Sequence, residues 1–126
     1  MPKVLISDKL SPAAIEIFRR RGIEADFKPG LPPAELRAII GPYDGLAVRS
    51  ATKVTRELME AAPNLRVVGR AGIGVDNVDV KSATARGVVV MNTPFGNAVT
   101  TAEHAVAMML SLARQIPEAT ASTRAG

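Results

Sequence analysis

A glycine-rich segment directly behind an apolar run is the first part of this sequence that can do chemistry. Residues 67–79 read VVGRAGIGVDNVD and place three glycines around Arg70. The dinucleotide fingerprint G-x-G-x-x-G has its first two glycines two positions apart, whereas these glycines read G-x-x-G-x-G. The spacing therefore argues against a dinucleotide turn. It indicates instead a site for a small anion, such as a carboxylate or a phosphate, bound by main-chain amides and an arginine.

The elements that must position this segment are short β-branched runs that alternate with helical segments. This alternation predicts an α/β fold with a flavodoxin-like, doubly wound parallel sheet in strand order 2-1-3-4-5. The predicted strands are residues 3–7, 24–28, 45–50, 65–70 and 88–92. Ligands of such sheets bind beyond the carboxyl ends of the strands. The candidate residues there are Asp8, Arg49 with Ser50, residues 70–74, and Asn92 with Thr93 and Pro94.

Capping residues mark the predicted helix ends. Ser11, Thr55 and Asp79 each precede a helical segment as N-cap candidates, and Gly22 and Gly87 are placed to end two of those segments. A T-x-x-E capping box over residues 100–103 predicts a further helix over residues 102–116. Its apolar residues occur on nearly every face, so we expect it to be covered by protein that lies outside this sequence.

Composition narrows the function classes. A chain of 126 residues is long enough for one domain, and its 16 Lys and Arg residues are scattered while aromatic residues make up only 3%. That combination disfavours nucleic-acid binding, and no apolar run is long enough to cross a membrane. The start MPKVLISD lacks the apolar region of a signal peptide, and the chain has no cysteine, which together favour a cytoplasmic location. No residues have the spacing of metal ligands.

Simpler explanations exist for the same residues. Arg49 and Arg70 can be solvated or paired with carboxylates, as arginines at strand ends often are. Gly72 and Gly74 can serve a tight turn alone. His104 lies inside the apolar C-terminal helix, where a packed or exposed side chain is a better interpretation than a catalytic one.

The stretch GRAGIGVDNVDVKSATARGVVVMNTPFGNAVTTAEHAVAMMLSLAR, with AVRSATKVT before it and RQIPEATAS after it, resembles the D-isomer-specific 2-hydroxyacid dehydrogenases. The resemblance covers essentially the whole chain. In that family a flavodoxin-like lobe binds the substrate, and a long helix leads into a Rossmann lobe. It implies a substrate-binding domain over residues 1–98, and an interdomain helix at the start of a truncated NAD-binding domain over residues 99–126.

The resemblance also implies roles for particular residues. Ile73 and Asn97 would lie near the cofactor, NAD, and the catalytic Arg, Glu and His of the family would lie outside this chain. The parent would be an NAD-dependent oxidoreductase that forms homo-oligomers through its nucleotide lobe, while the isolated chain would be inactive and bind NAD weakly. The residues assigned to the substrate are Arg49, Ser50, Arg70, Ala71, Gly72 and Gly74.

The substrate itself stays open at this stage. Arg49 favours a small phosphorylated 2-hydroxy acid, but glycerate, hydroxypyruvate or lactate would use the same glycine loop. A phosphoacceptor receiver is disfavoured because Arg49 stands where that class carries an aspartate. A free-standing module that binds small anions remains an alternative, since the lobe needs no cofactor to fold.

Overall fold

Five short strands form one all-parallel sheet in the computed structural model, which describes residues 1–126. Their spatial order, 2-1-3-4-5, confirms the order predicted from the sequence. Because all five strands run in the same direction, their carboxyl ends meet at one edge of the sheet. The strands are β1 (Lys3–Ile6), β2 (Glu24–Phe27), β3 (Gly45–Val48), β4 (Val67–Arg70) and β5 (Val89–Met91).

Four helices connect these strands, and the caps predicted for three of them are present. The side chains of Ser11, Thr55 and Asp79 each accept a main-chain hydrogen bond at a helix start. Gly22 and Gly87 follow two of the helices with φ angles of 68° and 69°, which glycine adopts at low cost. The helices are α1 (Pro12–Arg20), α2 (Pro33–Ile39), α3 (Arg56–Glu60) and α4 (Val80–Ala85).

The hydrophobic core lies on one face of the sheet. Leu5, Leu46 and Val68 are neighbours across three strands on that face, and they pack with buried residues of α2, α3 and α4. The opposite face is covered less completely, since Val89 and Met91 on β5 are 57% and 55% exposed. The well-packed face anchors the strands whose carboxyl ends carry the candidate residues.

The chain divides into two compact units, Met1–Pro94 and Phe95–Gly126. The second unit consists of two helices, α5 (Ala98–Ala113) and α6 (Ile116–Ala125), and neither contains a buried residue. The prediction of one helix capped at Thr100 is wrong, because α5 already begins at Ala98 and Thr100 lies inside it. Gln115 separates α5 from α6 and has a left-handed conformation with φ of 50°. Pro117 lies in the first turn of α6, where proline is tolerated.

No helix of the structure combines the length and the apolar character needed to cross a membrane.

Candidate functional site

Asp8 follows β1 at the carboxyl edge of the sheet, and the residue is only 4% exposed. Its Oδ2 accepts hydrogen bonds from the amides of Arg49 at 2.6 Å and Thr52 at 3.2 Å. Its Oδ1 accepts from the hydroxyl of Thr52 at 2.6 Å. We refer to residues 49–52 as the β3 loop. The carboxylate of Asp8 is thus engaged within the chain, and it holds the β3 loop to the end of β1.

Arg70 ends β4, and its guanidinium group is directed at main-chain oxygens. Nε donates to the carbonyl of Arg49 at 3.1 Å, and Nη1 donates to the carbonyl of Gly74. Nη1 also lies 3.6 Å from the carboxylate of Asp76, and the Arg70 side chain is only 12% exposed. We refer to residues 71–77 as the β4 loop. Arg70 therefore ties this loop to the β3 loop, and only Nη2 has no hydrogen bond or ion pair within the chain.

Two glycines of the β4 loop let the chain approach the Arg70 side chain closely. A Cβ at Gly72 would lie 3.3 Å from Cζ of Arg70. A Cβ at Gly74 would lie 3.2 Å from Nη1 of Arg70 and 3.0 Å from Oδ1 of Asp76. Neither glycine has a positive φ. Close contact with the guanidinium, and not an unusual turn conformation, is what glycine provides here.

The main-chain amides of the β4 loop fall into two groups. Ala71 donates to Val48 at 2.8 Å and Gly72 donates to the carbonyl of Arg70 at 3.0 Å, so these two amides are already engaged. The amides of residues 73–77 have no hydrogen-bond partner within the chain. These two bonds shape the loop, and the assignment of Ala71 and Gly72 to the substrate stays a prediction. The open amides of Ile73 and Gly74 lie within the glycine-rich segment itself, and unpaired donors are the kind of group that binds an anion.

Arg49 and Ser50 are exposed at the end of β3, in contrast to Asp8 and Arg70. The guanidinium of Arg49 makes one hydrogen bond, from Nη1 to the carbonyl of Lys9 at 3.3 Å, and no carboxylate lies within ion-pair distance of it. The hydroxyl of Ser50 has no hydrogen-bond partner within the chain. Arg49 is thus an unneutralised cation whose main chain is fixed while most of its donors are open.

Asn77 was not singled out by the sequence analysis. It is 6% exposed, and its Nδ2 donates to the carbonyls of Arg49 and Thr52, both at 2.7 Å. The carbonyl of Arg49 therefore accepts from both Asn77 and Arg70. An amide side chain directly behind a glycine-rich loop is a signal for such a main-chain contact, because asparagine readily bonds to carbonyls of nearby loops.

The residues that follow β5 also support the β4 loop. Asn92 donates from Nδ2 to the carbonyl of Ile73 at 2.6 Å, and the amide of Thr93 donates to the carbonyl of Gly72 at 2.9 Å. These bonds leave the amides of residues 73 and 74 free while fixing the carbonyls around them. Asn97 belongs to the second compact unit, where it occupies the N-cap position of α5 without a side-chain hydrogen bond to the helix. Its assignment to the cofactor stays a prediction, as does that of Ile73.

A cavity of about 570 Å³ lies between α2, α3 and the β3 loop. Its lining includes Asp8 and Thr52 together with Leu36, Arg37 and Leu58, but none of residues 70–74. No group of three or more His, Cys, Asp or Glu side chains is placed to hold a metal ion. Arg49, Ile73 and Gly74 do not line this cavity, and their open donors suit an anion rather than a metal.

A second charged cluster lies at the amino ends of β1 and β2. Lys3 contacts Glu24 at 2.8 Å and Asp26 at 3.2 Å, and the hydroxyl of Tyr43 donates to Asp26 at 2.6 Å. The hydrogen bond from Tyr43, followed by that from Lys3, lowers the pKa of Asp26. Burial, assisted by the hydrogen bond to Asp26, raises the pKa of Tyr43 to about 12. This cluster joins two strands at the sheet edge opposite the open donors.

Comparison with known proteins gives consistent matches. The family described as D-isomer specific 2-hydroxyacid dehydrogenase, catalytic domain, matches residues 4–125. The D-3-phosphoglycerate dehydrogenase of Archaeoglobus fulgidus is 48% identical over 124 residues, which is 98% of this chain and 24% of that enzyme. The chain thus spans about a quarter of the length of this curated relative.

Solved structures agree with the sequence match. A protein from Pyrococcus horikoshii superposes with a TM-score of 0.87 at 32% identity, covering 100% of this chain and 38% of its own. The NAD⁺-bound 3-phosphoglycerate dehydrogenase of Entamoeba histolytica superposes with a TM-score of 0.75 at 28% identity, covering 87% of this chain and 38% of its own.

Proposed function

Because this chain belongs to the D-isomer specific 2-hydroxyacid dehydrogenase family, we propose that it is the substrate-binding part of an NAD-dependent D-3-phosphoglycerate dehydrogenase. The longer protein would oxidise 3-phosphoglycerate to 3-phosphohydroxypyruvate, the entry into L-serine biosynthesis. Residues 1–98 would form the substrate-binding domain, and residues 99–126 would begin the NAD-binding domain. This chain alone would be inactive.

One observation carries the proposal: the free amides of the β4 loop include those of Ile73 and Gly74 in the glycine-rich segment, and they occur in the same hydrogen-bonded network as the unneutralised Arg49. We assign the two amides to the carboxylate that all 2-hydroxy acids share. We assign Arg49, with the hydroxyl of Ser50, to the phosphate at the other end of the substrate, since guanidinium groups bind phosphate with paired hydrogen bonds. Arg70 would act mainly by holding the carboxylate loop in place.

The chemistry of hydride transfer would come from NAD, which is bound elsewhere in the longer protein. This chain lacks a dinucleotide turn, so it offers no site for the pyrophosphate. Ile73, which is 43% exposed, and Asn97 would contact the cofactor from the substrate side. This chain would bind and orient the substrate, so that the substrate is held in a reactive geometry next to the cofactor. We further propose that the longer protein forms homo-oligomers through its nucleotide-binding part.

A chimera tests this function directly. Residues 1–126 would replace the matching segment of the Archaeoglobus fulgidus enzyme, and kcat/KM would be measured with NAD and either D-3-phosphoglycerate or D-glycerate. We expect activity with both and a preference for the phosphorylated substrate. Arg49→Ala should lower kcat/KM for D-3-phosphoglycerate, with a loss of transition-state stabilisation of about 2–4 kcal/mol, as for a lost charge-assisted contact. The same variant should change kcat/KM for D-glycerate little.

The outcomes separate the alternatives. Equal losses for the two substrates in Arg49→Ala would make Arg49 a general support and favour a glycerate, hydroxypyruvate or lactate dehydrogenase. A folded chimera with no activity on any 2-hydroxy acid would contradict the proposal and favour a free-standing anion-binding module. Lys53→Ala is a matched control, since it removes a neighbouring exposed cation that has no part in the proposed site.

A further inference from the structure

We propose that Asn77 is a positioning residue that sets the distance between the two anion-binding ends of the site. This inference rests on the proposed function, because it takes Arg49 as the phosphate contact and the amides of Ile73 and Gly74 as the carboxylate contact. Asn77 belongs to the β4 loop, yet both of its side-chain hydrogen bonds go to the β3 loop.

The main chain of Arg49 is held through both its amide and its carbonyl. Its amide donates to Asp8 at 2.6 Å, and its carbonyl accepts from Asn77 at 2.7 Å and from Arg70 at 3.1 Å. The carbonyl of Thr52 accepts a second bond from Asn77 at 2.7 Å. Asn77 thus contacts the first and the last residue of the β3 loop, and a shift of either would break one of the two bonds.

Asn77 is itself fixed to the fold. Its carbonyl accepts from the amide of Val54 at 2.8 Å, and the amide of Asp79 donates back to Val54 at 2.9 Å, which forms a short parallel bridge between Val54 and Val78. Its side chain has two rotatable bonds and is buried, whereas the long Arg70 side chain reaches the same carbonyl from β4. The short, buried side chain is the more rigid of the two links.

The acceptor half of the Asn77 side chain supports this role. Oδ1 is buried and has no hydrogen-bond partner, while both hydrogens of Nδ2 are engaged. Burying an amide oxygen without a partner is unfavourable. The two hydrogen bonds that Nδ2 donates must offset this cost, which indicates that the donors are what the position requires. Glutamine would carry the same donors at a greater distance, and serine would supply only one.

The functional consequence concerns substrates with two anionic ends. Such a substrate must reach the free amides and Arg49 at once, so the spacing of the two loops decides how well it binds. A substrate with only a carboxylate uses one end and is less sensitive to that spacing. Asn77 would therefore contribute to the preference for the phosphorylated substrate without touching it.

The chimera with the Archaeoglobus fulgidus enzyme tests this with Asn77→Ser and Asn77→Gln. We expect both variants to lower the ratio of kcat/KM for D-3-phosphoglycerate to that for D-glycerate by at least about tenfold, through KM for the phosphorylated substrate and with kcat little changed. Asn64→Ser is the matched control, because Asn64 lies exposed in a turn, and its ratio should stay at that of the unmodified chimera.

The remaining outcomes contradict either the proposed function or the positioning role of Asn77. An unmodified chimera that does not distinguish the two substrates would overturn the proposed function and this inference with it. A chimera that distinguishes them, but whose Asn77 variants lose activity equally with both, would overturn this inference alone. If neither variant yields folded protein, Asn77 is a residue of the folding core and the positioning role is refuted.

Discussion

Removal of the Asp8 carboxylate is the sharpest test of how the site is supported. Asp8→Ala deletes three hydrogen bonds at once and leaves the amides of Arg49 and Thr52 without their acceptor. Asp8→Asn keeps the shape of the side chain. Its amide oxygen can accept from both main-chain amides, and its amide nitrogen can donate to the hydroxyl of Thr52. That hydroxyl can then donate to Ser7, which lies 2.9 Å away.

The magnitudes follow from the number and kind of bonds lost. A hydrogen bond to a charged group contributes about 1.5–3 kcal/mol, so three would total about 4.5–9 kcal/mol if nothing replaced them. Burial of the carboxylate offsets part of this sum, and water can reach the exposed Arg49 segment in the variant. We therefore expect Asp8→Ala to lower the free energy of unfolding by about 3–4 kcal/mol, and Asp8→Asn by only about 1 kcal/mol.

Urea denaturation of the 126-residue chain, followed by circular dichroism, measures both values. With a slope of about 1–3 kcal/mol per molar urea, the alanine variant should unfold at a midpoint lower by about 1–4 M. Asp76→Ala is the control, because that aspartate is 86% exposed and lies 3.6 Å from Arg70. Its effect should stay within about 0.5 kcal/mol.

Equal effects of Asp8→Ala and Asp8→Asn would refute this reasoning, because they would show that the charge, and not the set of three acceptor contacts, stabilises the β3 loop. A loss below about 1 kcal/mol for Asp8→Ala would mean that water replaces the carboxylate fully and that the loop is not held by it.

Three further predictions concern other parts of the chain. Because the pKa of Tyr43 is raised from 10.0 to about 12, the unfolded chain loses this proton first, so stability should fall between about pH 10 and 12. Tyr43→Phe should flatten that decline in urea titrations, and an unchanged slope would contradict the assignment. Gly74→Ala should lower kcat/KM of the chimera with both substrates at least about tenfold, because its Cβ would displace Arg70, whereas Gly69→Ala, whose Cβ meets nothing within 4 Å, should be neutral. A chain that ends at Pro94 should stay folded and self-associate less than the full chain in light scattering, since the apolar residues of α5 are exposed. Greater aggregation would assign that helix to the first unit.

The sequence alone was sufficient to predict the sheet and its strand order. Strand order 2-1-3-4-5 follows from alternating β and α segments with right-handed crossovers, and the caps Ser11, Thr55 and Asp79 act on amides two or three residues away. These features depend on short stretches of chain, so pattern and spacing identify them. Glycine spacing likewise predicts that the β4 loop is not a dinucleotide turn.

The tertiary structure decided which groups at that edge remain open. The bonds from Arg49 to Asp8, from Arg70 to Arg49 and from Asn77 to Arg49 join residues 41, 21 and 28 positions apart. No local pattern shows that Arg70 is directed at carbonyls while Arg49 stays unneutralised, because both are arginines at strand ends. A local pattern also does not show that the Gly72 amide donates a main-chain hydrogen bond while the Gly74 amide has no partner. Hydrogen-bond partners across loops depend on how the strands bring distant residues together, and that arrangement exists only once the sheet has formed.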